Sequence, residues 1–413
     1  MSEGADLASA QAAVRQLGSG RAIRARTHAI FEACARGELA HFELDLAQLE
    51  PVARQVAELT VRRFPSLDIP AHSRFGHFDA GGVRRLARVE QALMARDPRE
   101  RARALVDLVV VSVLLDAGAG MTWRFHEAAS GTALGRSEGL AVASLAWVEA
   151  GGLSARGRPF EVDAAGLARV DAAALARAFQ VSAQNPLVGV DGRVALLRAL
   201  AAAVTEAPLF GGQARPGALV DHLWSKAQGG VLQAEHVLSA VLEGLGSIWP
   251  GRLRIEGVPA GDVWRHPQAG GEGLTKDLVP FHKLSQWLSY SLLYPLRVSG
   301  LEVVALDALT GLAEYRNGGL FVDAGVLVPK HAAVLSEAHE VGSELVVEWR
   351  ALTVALLDRV APLVRARLGL DADKLPLASV LEGGTWALGR ELAARRRPDG
   401  GPPIRVISDG TVF

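Results

Sequence analysis

Apolar residues recur three and four positions apart along most of this chain, as from Val194 to Leu197 and from Leu196 to Leu200. That spacing gathers them on one face of a helix. It predicts helices over 5–17, 24–36, 45–63, 81–95, 99–115, 137–150, 164–179, 192–205, 217–225, 232–244, 279–297, 331–368 and 385–396. Alanine, leucine, arginine and glutamate fill these segments, in line with helix propensity. Period-two alternation is scarce: RLRIEGV (252–258) and PIRVISDG (403–410) are the strand candidates. Breakers gather near 64–80, 116–136, 151–163, 206–217, 245–278 and 397–403, which read as functional loops. The expected fold class is mainly α, a multi-helix globular fold with a few short β-strands. The expected division is an N-terminal helical cap over 1–65 and a helical catalytic body over 66–413, or one continuous domain.

Composition narrows the partners. Charged residues make up 22% of the 413 positions and the formal net charge is -1. No global basic field exists for nucleic acid or an anionic membrane, so neither is an expected partner. Cys34 is the lone cysteine, which excludes an intrachain disulfide or a multi-cysteine metal centre and fits a reducing cytosol. MSEGADLASAQAAVRQ lacks the basic region and apolar core of a signal peptide. LVDLVVVSVLL (105–115) is too short to span a bilayer and contains Asp107. A soluble cytoplasmic protein is expected.

Several familiar motifs fail. GRSEG (135–139) has G-x-S-x-G spacing but no apolar strand before it, so Ser137 reads as a helix cap, with Glu138 at the positive helix end. LDAGAGMTW (115–123) lacks the third glycine of a dinucleotide fingerprint, and no phosphate-binding P-loop is present. The eleven histidines show no metal-ligand spacing, so no metal and no cofactor are expected.

Four stretches carry chemistry. PAHSRFGHFDAGG (70–82) packs His72, Arg74, Phe75, His77 and Phe78 together. Arginine with aromatic rings suits an anionic, planar or sugar-like ligand, or the rings simply pin the loop. FGGQARPG (210–217) places Phe210, Gly211, Gly212 and Arg215 before a helix, where bare N–H groups suit phosphate or form only a turn. GDVWRHP and LVPFHKLSQWLSYSLLYPL (278–296) set His282, Lys283, Gln286, Trp287 and Tyr290 on an apolar helix. Lys283 there snorkels, pairs or serves a ligand. LTGLAEYRNGGLFVDAGVL (309–327) carries Glu314, Tyr315, Arg316 and Asn317 inside apolar chain, as a buried ion pair or as a positioned acid.

With RSEGLAVASLAWVEAGG, NPLVGVDGR and IWPGR, these stretches resemble the uracil-catabolism family of the URC/Urg pathway, long labelled only by a domain of unknown function. That resemblance runs from about residue 20 to the C-terminus. It implies a pathway that turns uracil into its ribotide, opens the ring and releases urea. More distantly, the chain is similar to queuosine-salvage proteins, N-glycosylases acting on queuosine 5′-phosphate. Phe281, Lys283 and Gln286 match that family's phenylalanine-tyrosine-lysine-x-alanine-glutamine helix, with His282 and Ser285 as departures. Thr310, Ala313, Tyr315 and Arg316 match its threonine-x-x-alanine-aspartate-tyrosine-arginine segment, with Glu314 in place of aspartate and Gly318-Gly319 in place of Pro-Gln. The resemblance implies a fold akin to helical DNA glycosylases.

N-glycosidic cleavage builds positive charge at C1′, which a carboxylate stabilises. The resemblance thus implies a metal-independent N-ribosyl hydrolase releasing urea from a ribosylurea 5-phosphate. Its catalytic residues would be Glu314, His282 and Lys283, with Arg316 holding Glu314 and His282 or Glu314 protonating the leaving group. Arg74, Phe75, His77, Phe78, Gln286, Trp287, Tyr315, Arg316, Phe210, Gly211, Gly212 and Arg215 would bind the substrate. The expected partner is a small ribose-phosphate or nucleotide-derived molecule. Alternatives are a ureide-cleaving hydrolase of the same pathway and a non-catalytic uracil-nucleotide-binding regulator.

Overall fold

The computed structural model describes residues 2–116, 118–249 and 253–407. The fold is mainly α: eighteen α-helices and twelve short strands appear among the described residues. Each strand pairs with only one other, in six two-stranded sheets.

The Pro98–Leu114 helix shows why the interior is helical. Asp97 caps it by accepting from the N–H groups of Arg99 and Glu100, and Pro98 fills the first turn. Every residue from Ala104 to Leu114 is buried. A helix that is apolar all round must be enclosed. The Lys283–Val298 helix packs along it, joined by Arg136–Glu149 and Leu219–Lys226. A second long helix, Glu344–Leu368, starts at the Ser343 cap and stops at Gly369, whose φ of 66° suits glycine. It packs against Gly20–Ala35 and Leu49–Arg63. These two helices of the 1–65 segment share one continuous core with residues as distant as Ile404. A smaller cluster joins Ala10, Ala13 and Leu17 to Ile255, Ala260, Val263 and Leu278.

Three predicted helices are interrupted. The 279–297 helix begins only at Lys283, because Leu278–Pro280 pairs antiparallel with Val263–Arg265 and His282 takes a left-handed φ of 45°. The 331–368 segment breaks at Gly342 and Ser343, and Ala338–Glu340 before the break is a strand. The 164–179 segment divides where Asp171 caps a new helix, Ala172–Ala178. Tyr315–Asp323 is a helix outside the predicted ones, begun at the Glu314 cap. Gly318 permits close packing: a Cβ there would lie 2.7 Å from the Trp349 indole.

Of RLRIEGV, Arg254–Ile255 pairs with Val258–Pro259, and Arg252 lies outside the described residues. Of PIRVISDG, Arg405–Ile407 pairs parallel with Ala338–Glu340, and 408–410 lie outside them. No described helix is long and apolar enough to cross a membrane.

Candidate active site

The strand pair 263–265/278–280 delivers the chain to the start of the Lys283–Val298 helix, and Asp262 fixes that start. Its carboxylate accepts the Lys283 N–H at 3.0 Å and both Nη1 and Nη2 of Arg350 at 2.8 Å. Burial opposes ionisation of Asp262, but the Arg350 pair outweighs it and holds the carboxyl well below the usual range. Arg350 lies over the Phe281 ring at 4.2 Å, and its Nε donates to the Ala313 carbonyl at 3.3 Å. Gln286 Oε1 accepts the Thr310 N–H at 3.2 Å, and the Tyr290 hydroxyl donates to the Thr310 carbonyl at 2.7 Å. These bonds join the two motif stretches, which lie about thirty residues apart in sequence.

Glu314 is the N-cap of Tyr315–Asp323. Its two oxygens accept the N–H groups of Arg316 and Asn317, each at 2.6 Å. Arg316 does not hold it through the guanidinium as expected: Nη1 donates to the Gly400 carbonyl at 2.8 Å, and the group lies 5.0 Å from the Tyr315 ring. The cap geometry decides this, since the orphan N–H groups of a helix start are nearer than a side chain pointing outward.

Lys283 lies on the same helix face as Gln286 and Trp287, its Nζ 5.7 Å from the Trp287 ring. Burial lowers its pKa, and Glu314 is the strongest charge opposing that shift. Around Trp287 stand His77 at 5.7 Å, His72 at 6.3 Å and the Arg74 guanidinium at 5.6 Å. Arg74 is fully buried. It donates to Ser112 Oγ at 2.7 Å, Asp116 Oδ1 at 2.8 Å and Ser137 Oγ at 2.9 Å, and Ser137 donates to Asp116 at 2.7 Å. Burial, then the Arg74 charge, pushes His77 down to about 4, so its ring is neutral near pH 7. His72 binds Glu382 at 2.8 Å. Glu382 sits in a π-helical turn, Leu381–Thr385, whose loosened carbonyls at 382 and 383 accept from Arg63.

The fold therefore brings together Lys283, Glu314, Trp287, Gln286, Arg74, His77, Tyr315 and Arg316. It adds Asp116, Asp262, Arg350 and Glu382, which the sequence did not point to, and His72 and Asn317, which stand in the chemistry-bearing stretches without an expected role. A charge inside an apolar run, as at Arg350 in EWRALTVALL, was the readable signal.

Other expected residues lie elsewhere. His282 turns from Lys283 and Glu314: its ring faces Gly261 and lines a cavity of about 670 Å³ with Arg15, Leu242, Trp249 and Ser285. The charges acting on it are those of Asp262 and Arg350, and burial lowers its pKa. Phe75 and Phe78 are core, packed against each other at 5.6 Å, with Tyr294 4.9 Å from Phe75. Phe210 is buried against Gly244, while Gly211 and Gly212 are exposed. Arg215 pairs with Asp107 and Glu100, and the Gly217 N–H goes to Asp107 at 2.6 Å. Arg215 and the Gly217 N–H thus answer a buried carboxylate instead of a phosphate. Ser137 does not cap its helix; Gly135 holds that position, and the hydroxyl joins Arg74 and Asp116.

One group of potential metal ligands exists among the described residues, His266, Glu344 and Glu348. His266 Nδ1 accepts the Gln268 N–H at 3.1 Å, so the neutral ring carries its proton on Nε2, facing Glu348 at 3.7 Å. Both Glu348 oxygens accept backbone N–H groups, of Ala40 and His41 at 3.2 Å. That arrangement offers a metal no imidazole lone pair.

Fold and site together define a mainly helical protein with a buried polar cluster where two chain segments meet. The chain belongs to the family described as Protein of unknown function (DUF1688), which matches residues 16–413. It is 39% identical to "Uracil catabolism protein 4" of Lachancea kluyveri, over 95% of this chain and 97% of that protein. It is 38% identical to "Protein urg3" of Schizosaccharomyces pombe, over 95% and 96%.

Proposed function

We propose that this protein acts in uracil catabolism as an N-ribosyl hydrolase, splitting a ribosylurea 5-phosphate into urea and ribose 5-phosphate. The observation that carries the reading is Glu314, a carboxylate fixed by two N–H groups at a helix start, whose charge acts on the buried Lys283 more than any other. The name of the Lachancea relative and the register with queuosine-salvage glycosylases support it.

In this mechanism the C1′–N bond breaks and its electron pair moves to the urea nitrogen. Positive charge grows on the ribose, and Glu314 stabilises it from one side. Lys283 gives a proton to the departing nitrogen, in the acid role first sought in His282, which faces the other cavity. Water adds to C1′ and loses a proton, which returns to Lys283 through solvent. Arg74, whose Nη2 has no hydrogen-bond partner, supplies an anchor for the phosphate or a sugar hydroxyl.

The test is to incubate pure protein with ribosylurea 5-phosphate and assay urea. Turnover by wild type is expected, with a loss of about 100-fold or more in Glu314→Gln. No urea from wild type, or full activity in the variant, overturns the reading.

A further inference from the structure

Two buried amide side chains of this cluster have no role in the mechanism above. Asn317 is 0% exposed, and neither its Oδ1 nor its Nδ2 meets a hydrogen-bond partner. Gln286 is equally buried. Its Oε1 accepts the Thr310 N–H, and only the oxygen of an amide accepts, so Nε2 is the free end. That Nε2 also lacks a partner. Buried amides left unpaired are rare in folded proteins, and each needs a reason.

Both amides are tied to the proposed centre. The Asn317 N–H binds Glu314 Oε1 at 2.6 Å. Side chains on a helix slant toward its N-terminus, so Asn317, in the first turn, lies over the cap that Glu314 forms. Gln286 shares its helix face with Lys283. It also grips Thr310, four residues before Glu314.

The chemistry of the pair selects a ligand. A primary amide presents a donor and an acceptor side by side in one plane. A carbamoyl group, C=O beside NH₂, is its complement. A phosphate or a cation would leave one half unpaired, and a hydroxyl would meet only one atom at a time. We infer that Asn317 binds the carbamoyl end of the leaving group, Oδ1 accepting from its NH₂ and Nδ2 donating to its oxygen, with Gln286 Nε2 as a second donor to that oxygen. This rests on the N-ribosyl hydrolase reading above. Two donors on the carbonyl oxygen take up charge that reaches the urea as the C1′–N bond breaks. The same pair makes the site selective, because a leaving group without the carbamoyl pattern leaves buried polar atoms unmet.

The experiment compares wild type with Asn317→Asp, which turns the donor into an acceptor at constant shape, and with Asn317→Leu, which removes both and suits an apolar setting. Three quantities are read for each: kcat/KM for ribosylurea 5-phosphate, the inhibition constant of ribose 5-phosphate, and the melting temperature. A fall in kcat/KM of about 100-fold in both variants is expected. In at least one, ribose 5-phosphate inhibition should stay within about threefold and melting within a few degrees of wild type. An unchanged kcat/KM, or parallel loss of turnover and ribose 5-phosphate inhibition in both, overturns the assignment while the hydrolase reading stands. Absence of urea release by wild type is a separate outcome, and it overturns both.

Discussion

A lysine set against an indole loses the hydration that favours its cation. Lys283 is in this position, and its pKa lies below the ordinary lysine value because burial outweighs the pull of Glu314. As the proton donor it must be charged, so urea release should fall as pH rises through that lowered pKa, below the usual 10.4 or so of lysine. Lys283→Arg keeps the charge but releases no proton, so it should cost about 10² to 10⁴ in kcat, as Lys283→Met should. A kcat profile flat to pH 10 in wild type would remove Lys283 from the acid role. At this scale the sequence was informative where a charge interrupts apolar chain, as at Lys283 and Glu314. It was silent on Asp262 and Glu382, each of which looks like an ordinary polar residue beside a turn. Their roles come from partners far along the chain, Arg350 and His72, and one-dimensional spacing does not encode such pairs.

The N-terminus of the Lys283–Val298 helix depends on Asp262 more than on its own sequence. His282 caps nothing with its side chain, and the first N–H of the helix is met by Asp262. Because Asp262 also neutralises a fully buried Arg350, Asp262→Asn leaves a charge without its counter-ion, a change that costs about 3–5 kcal/mol. The Asp262 carboxyl titrates below its unfolded value. Its stabilisation is therefore complete above pH 4 or so and lost as pH falls through the folded pKa. Denaturant unfolding should thus separate wild type from variant most at pH 6–7, with the gap closing in acid. A gap independent of pH would place the effect outside this ion pair. Element boundaries were legible where a cap precedes the apolar pattern, as at Asp97, and were missed at Ser343, a cap inside the continuous 331–368 pattern. They were illegible at Tyr315–Asp323, where two glycines serve packing against Trp349 and Pro403 rather than a turn.

Across the whole molecule, buried arginines do two different jobs that look alike in sequence. Arg74 and Arg215 each sit in a loop of aromatic and glycine residues, and both suggested anion binding. In the fold, Arg74 keeps Nη2 unpaired beside Trp287, whereas Arg215 binds Asp107 through Nε and Nη2 and Glu100 through Nη1. Asp107 is so enclosed that burial pushes its carboxyl up to about 6 even with Arg215 beside it. Removing Arg215 should therefore weaken the protein without touching the chemistry. Arg215→Ala is expected to lose about 3–5 kcal/mol of stability near pH 7.5. Because the folded carboxyl already binds its proton more readily than the unfolded one, that loss should shrink as pH falls toward 5 and Asp107 becomes neutral. The folded variant, assayed well below its melting temperature, should keep the KM for ribosylurea 5-phosphate within about twofold, since each guanidinium nitrogen of Arg215 already meets a carboxylate. Arg74→Ala should do the reverse on KM, raising it about tenfold or more through the loss of a charge-assisted contact. If instead Arg215→Ala raised KM and spared stability, the 210–217 loop would be the phosphate site after all.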